Sequence, residues 1–399
     1  MNPFAGNAVL RAVKLRRAAP LHAVHAALVV ITLVAVHGAP LAAHAATGNP
    51  NLSVIAQPRL TVTSNADDPD HDRPVWDIGE TEFVLDDYLN PFVRGNLTLA
   101  YTTDEGLALE EGYIDVVRGL PGTLNLRLGQ WRSGFGKLNP QHPHTYPFAE
   151  RPGVLAAFLP GEEGLNETGL QASLRLPSPG DWAITASADW MQGDSFRLER
   201  EDSGFESDPL TASDEGDRSE EARPAMLGRL SAFAPVGERS GLELGLSAVE
   251  GTNNAAAGTK TRVLGFDAKA KLWNSERSYL LLQGEALQLR REDAGWDGDR
   301  YTDEAISPWG WYLMADYNWN QRWNAGASFE RFQAEDEDGW NRSLGLFAGF
   351  AVMEETTALR LDWRREQAAA AAGDPEPDAI DVVTLRVIWS MGPHKAHQF

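Results

Sequence analysis

The chain contains no cysteine, which removes disulfides and thiolate metal ligands together. That absence suits an envelope protein that must stay unfolded while it crosses the periplasm. Long apolar runs are missing as well. The apolar stretch at residues 26–36 falls short of the roughly 20 residues that a membrane helix needs, and no later segment supplies them. If the chain lives in a membrane, only a closed β-barrel remains, because hydrocarbon cannot solvate unpaired backbone groups. Positive charge is scarce: 35 Lys and Arg stand against 57 Asp and Glu, a formal charge of −22. Nucleic acid is thereby excluded as a partner.

What is present begins with an export signal. Arg11, Lys14, Arg16 and Arg17 precede the apolar stretch, and Ala43-His44-Ala45 offers a small-x-small cleavage site. Residues 1–45 read as a secretory signal peptide and 46–399 as one domain. Without the four basic residues of the signal, the remaining charge is near −26. The acids gather at residues 199–221, 292–304 and 335–338, which read as exposed loops. Such loops draw cations to a mouth, bridge through divalent ions to lipopolysaccharide, or simply keep the protein soluble.

The rest of the chain keeps a two-residue beat. Val383, Leu385, Val387, Trp389 and Met391 share one face of the last segment, while Val382, Thr384, Arg386, Ile388 and Ser390 lie on the other, mostly wet one. Successive side chains of a strand point to opposite faces, so each such segment has an apolar side and a wet side. Segments of this kind recur along the chain, joined alternately by short turns and by long acidic connections. The fold class expected is all-β: a transmembrane antiparallel up-and-down barrel of about 16 strands, with 14 or 18 also compatible. Indoles at segment ends (Trp182, Trp190, Trp273, Trp309, Trp319, Trp323, Trp389) fit two girdles at the lipid headgroups. A soluble sandwich using the same residues as core would be divided into domains at this length.

Three stretches carry a family resemblance. Leu126-Arg127-Leu128-Gly129-Gln130-Trp131-Arg132-Ser133-Gly134-Phe135-Gly136, with its continuation Leu138-Asn139-Pro140-Gln141-His142-Pro143-His144-Thr145-Tyr146-Pro147-Phe148, resembles a signature of the phosphate-selective porin O/P-like family. The closing Gly392-Pro393-His394-Lys395-Ala396-His397-Gln398-Phe399 and the opening Asn49-Pro50-Asn51-Leu52-Ser53-Val54 are similar to a group of proteobacterial porin-like or zinc-regulated outer-membrane proteins. The resemblance implies a barrel of the bacterial outer membrane, embedded in lipid and lipopolysaccharide. It also implies assembly through the barrel machinery by way of Phe399, and it is compatible with a homotrimer. Strand candidates start too soon after the signal to leave room for the plug of an energised receptor.

If the alternation is read correctly, Arg94, Arg127, Arg175, Lys269, Arg360, Arg364 and Arg386 line the interior, with Asp189, Asp316 and Asp362 among them. Charges of both signs focus ions at a constriction. That mixture, behind an acidic mouth, argues against phosphate selectivity and for a weak cation or neutral-solute preference. Frequent Gly, Ser and Ala on the inward faces favour an open lumen over a filled one. Residues 129–164 carry Tyr146, Phe148, Leu155, Phe158 and Leu159 without periodicity, so part of this segment is expected to fold into the lumen as a constriction or cap.

Two weaker constellations stand beside these. His142 and His144 are candidate ligands for a divalent cation, although a site needs three or four donors. Ser133, Asn139 and His142 are close in sequence, but no nucleophile-elbow motif frames the serine, and no enzymatic activity or cofactor is expected. The expectation is a porin, a passive diffusion channel for small solutes or ions. The alternative is a silent barrel whose loops bind a ligand, metal ion or partner.

Overall fold

The computed structural model describes residues 50–161, 164–197, 221–255, 257–296, 301–333, 339–353, 357–370 and 375–392. The signal segment, most of 199–221, all of 335–338 and Phe399 lie outside the described residues. Extended segments follow one another in an antiparallel ladder. Three pairs of them are single strands broken by short interruptions: Asn51–Ala56 with Arg59–Thr63, Val75–Asp77 with Thr81–Asn90, and Tyr301–Ile306 with Trp309–Trp319. Two of the breaks hold Pro58 and Pro308, which have no N–H to give to a ladder. Merging them leaves the expected 16 strands.

The ring closes on its own ends. Ile380–Met391 pairs with both parts of the first strand, Val54 opposite Met391 and Thr63 opposite Val382. The described strands thus form a closed ring whose first and last members pair with each other.

Burial is inverted relative to a soluble protein. Along Thr259–Trp273, Val263, Asp267 and Lys269 are buried while Leu264 and Phe266 are exposed. Along Ile380–Met391, Thr384 and Arg386 are buried while Val383 and Leu385 are exposed. Exposed leucines and phenylalanines around the whole ring would be costly in water and are at home in lipid. Exposed Trp182 and Trp323 mark one rim, and exposed Trp190 and Trp309 the other. Trp309 packs edge-on against Trp340, and Trp319 stacks on Trp323.

One acidic segment is not a loop. Residues 292–296 and 301–304 continue the ladder, because Tyr279–Trp296 pairs onward with Tyr301–Ile306 from Arg291–Ile306 to Trp296–Tyr301; residues 297–300 lie outside the described residues. Backbone pairing with a partner strand outweighs the poor strand propensity of its acids. Tyr279–Trp296, at 18 residues, is longer than the roughly 10 residues per strand that a membrane requires.

Candidate functional site

The connection from Leu124–Arg132 to Asn166–Leu176 does not lie outside the barrel. Its Phe135, Leu138, Tyr146, Phe148, Val154, Leu155, Phe158 and Leu159 are buried against inward side chains such as Leu227, Val249, Val263, Leu287, Met314 and Phe347. The short helix Gly153–Phe158 contributes three of these contacts. Small residues on the wall form the sockets: the ring of Phe135 sits so close to Gly265 that a Cβ there would lie 2.7 Å from its carbons.

Asn139 shuts the neck of this loop. Its Nδ2 donates to the carbonyls of Ser133 (2.7 Å) and Leu165 (3.0 Å), and its Oδ1 accepts from Leu165 N at 3.0 Å. Ser133 N in turn donates to Leu165 O at 2.8 Å. Gly136, at φ +62°, turns the chain in the left-handed region beside Glu285, whose Oε1 then accepts from Lys137 N (3.1 Å) and Leu138 N (2.9 Å). Glu330 Oε2 accepts from Val154 N at 3.2 Å.

On the far wall two arginines hold the loop by its carbonyls. Arg360 donates to His144 O at 3.1 Å and to Tyr146 O. Arg386 donates to Tyr146 O (3.3 Å), Pro143 O (3.4 Å) and Phe148 O.

A cluster of acids and imidazoles sits at the base of the loop. Glu110 and Glu111 are consecutive yet both buried, which a regular strand forbids. A bulge explains it: Thr98 faces Glu111 but Leu99 faces Leu109, so Glu110 is the extra residue and both carboxylates turn inward. His142 Nδ1 lies 3.3 Å from Glu82 Oε2 and 3.2 Å from Glu110 Oε2, and its Nε2 lies 3.3 Å from Glu111 Oε2. His144 Nδ1 bonds Glu82 Oε1 at 2.7 Å, and the two imidazoles stack at 5.8 Å. Burial opposes a charge on His142, but the carboxylates of Glu82, Glu110 and Glu111 outweigh it and hold its pKa well above the histidine range. Burial, then the charges of His142 and Arg360, push His144 down to about 3.

The residues expected to line the interior take different places. Arg94 pairs with Asp86, Arg127 with Asp115, and Asp189 accepts from Gln171 at 3.0 Å. Arg364 pairs with Glu366 and reaches Arg151 O at 3.5 Å. Arg175 is exposed beside a short turn, its N–H bonded to Thr123 Oγ1. Lys269, Asp316 and Arg360 come together around a cavity of about 330 Å³ between the loop and the wall, also lined by Lys271, Arg322 and Asn324. Asp362 lies apart from them, beside Arg364 and Glu330. Ser133 Oγ donates to Met191 Sδ at 3.3 Å while the ring nitrogens of His142 face Glu82, Glu110 and Glu111, so Ser133, Asn139 and His142 do not form a triad.

Glu82, Glu110 and Glu111 escaped notice in the sequence. One signal was available: Glu110-Glu111 within an otherwise alternating strand obliges one acid to face lipid unless the strand bulges.

No family model matches the chain. Among solved structures, OmpF of Salmonella typhi, in complex with daunomycin, superimposes with a TM-score of 0.57 at 10% identity, over 86% of this chain and 98% of that one. The outer-membrane channel DcaP of Acinetobacter baumannii gives 0.55 at 11% identity, over 86% and 96%. The trimer form of OmpT of Vibrio cholerae gives 0.51 at 9%, over 86% and 100%. These likenesses show the fold, which is that of outer-membrane porins. In sequence, an uncharacterised protein of Aquifex aeolicus is 30% identical over 347 residues, spanning 81% of this chain and 70% of its own length. This porin-like β-barrel therefore belongs to the same protein family as that Aquifex aeolicus relative.

Proposed function

We propose that the protein is a passive channel for small solutes or ions, narrowed by residues 133–165. The observation that carries this reading is the polar cavity of about 330 Å³ left between the inward loop and the charged wall. Transport is a matter of steric cutoff and lumen electrostatics, with no turnover and no cofactor.

We propose anion preference in place of the weak cation or neutral-solute preference expected from composition. Its lining carries Lys269, Lys271, Arg322 and Arg360 against one carboxylate, Asp316. Cations concentrated at the narrow part favour anions whatever the loops outside carry. This lends support to the resemblance to phosphate-selective porins, with the anion itself left to experiment. By likeness to the trimer form of OmpT we propose a homotrimer, which native mass measurement in detergent tests: a monomer mass contradicts it.

Purified protein in a planar bilayer should give stepwise currents whose reversal potential in a salt gradient favours anions. Lys269→Glu should lower the anion-to-cation permeability ratio by about twofold or more. A silent membrane with folded protein present would instead support the binding-only barrel.

A further inference from the structure

The geometry points to a divalent transition-metal site formed by Glu82 Oε2, Glu110 Oε2 and His142 Nδ1. These three atoms lie within 4.8 Å of one another. Each is buried, and none has a hydrogen-bond partner of acceptable geometry. Glu82 and Glu110 are nearly inaccessible, with side chains 2% and 3% exposed. Buried polar atoms are nearly always satisfied, so three that converge without bonds require an explanation.

The other atom of each side chain is engaged. Glu82 Oε1 accepts from His144 Nδ1 at 2.7 Å, Glu110 Oε1 pairs with Arg132 Nη1 at 2.6 Å, and His142 Nε2 lies 3.3 Å from Glu111 Oε2. Outer atoms bonded and inner atoms bare is the arrangement by which a neighbouring group orients a metal ligand, including the carboxylate–histidine–metal relay. The spacing agrees. Ligand bonds of about 2.1 Å in a tetrahedron place donors about 3.4 Å apart, and the imidazole nitrogen lies 3.3 and 3.2 Å from the two oxygens.

Charge points the same way. Glu82, Glu110 and Glu111 crowd one buried spot against Arg132 and the His142 imidazole, and buried carboxylates that outnumber their cations are expensive. A nitrogen donor with two oxygens suits Zn²⁺ and its neighbours, whereas Ca²⁺ and Mg²⁺ take six or more oxygens. The site differs from a His142–His144 pair, because the Nδ1 of His144 is spent on Glu82. An ion here would tie the loop, through His142, to the strands Thr81–Asn90 and Gly106–Val116. This pin serves the narrowing proposed above, but metal binding itself does not depend on conduction.

The test is calorimetry with Zn²⁺ on the chelator-washed barrel in detergent, its folding checked by heat-modifiable mobility. One ion per chain is expected. His142→Gln and Glu82→Gln should each weaken binding by about tenfold or more, while the exposed His71→Gln leaves it unchanged. Glu82→Asp keeps the charge and withdraws the oxygen, so it should also weaken binding and stands in should a neutral variant fail to fold. A roughly hundredfold excess of Mg²⁺ should leave the titration intact. Absence of a stoichiometric site, equal affinity in His142→Gln and Glu82→Asp, or displacement by Mg²⁺ would each overturn the assignment. The first of these would mean that a protonated His142 alone satisfies the carboxylates.

Discussion

Replacing residues 134–164 with a short Gly-Ser bridge is expected to raise single-channel conductance on the order of two- to threefold, since conductance follows the narrowest cross-section. The deletion is geometrically mild. Ser133 and Leu165 are already joined by a 2.8 Å backbone hydrogen bond, so the ends to be connected are neighbours. The wall needs no loop to keep its shape, because every strand is paired on both sides by backbone bonds. Inward Val249, Val263 and Leu287 lose their cover and face water, which lowers stability without opening the ring. Unchanged conductance in a folded deletion protein would show that the passage is set elsewhere.

Arg386→Met should be the most damaging single substitution among the anchors. Arg386 is 2% exposed, and its guanidinium donates to Gln57 Oε1 and to the carbonyls of Pro143, Tyr146 and Phe148. Methionine fills similar length but donates nothing, and each buried acceptor left bare costs about 1–3 kcal/mol. A loss on the order of 3 kcal/mol or more is expected in urea unfolding of the barrel in lipid vesicles. Arg365→Met is the control. Arg365 is exposed and lies 3.6 Å from Asp381, a pairing worth little at a wet surface. Similar losses in the two variants would contradict the anchoring role.

The barrel was legible because alternation is a local property. Each strand announces its faces without reference to its neighbours, and the indoles announce its ends. The acids of residues 292–296 and 301–304 suggest a loop, whereas the pairing of Arg291–Trp296 with Tyr301–Ile306 is decided by the partner strand. Inward glycines were read as open space. Gly265 is instead a socket for Phe135, and Gly251 one for Phe196, contacts between segments distant in sequence that no periodicity encodes. Arg360 and Arg386 were legible as inward but not as anchors, for the same reason. The carboxylate cluster depends on a bulge at Glu110, a one-residue change of phase that alternation analysis smooths over.

The central claim is that apolar side chains meet lipid while their neighbours line an aqueous interior. Because the sequence has no cysteine, single substitutions test it without background. Leu246→Cys and Leu264→Cys lie on the outer face, and Asn324→Cys borders the cavity. In outer-membrane vesicles, a small membrane-impermeant thiol reagent should modify the cysteine at 324 and spare those at 246 and 264. A lipid-dissolved reagent should do the reverse. Modification of 246 and 264 from water, with 324 protected, would contradict the account.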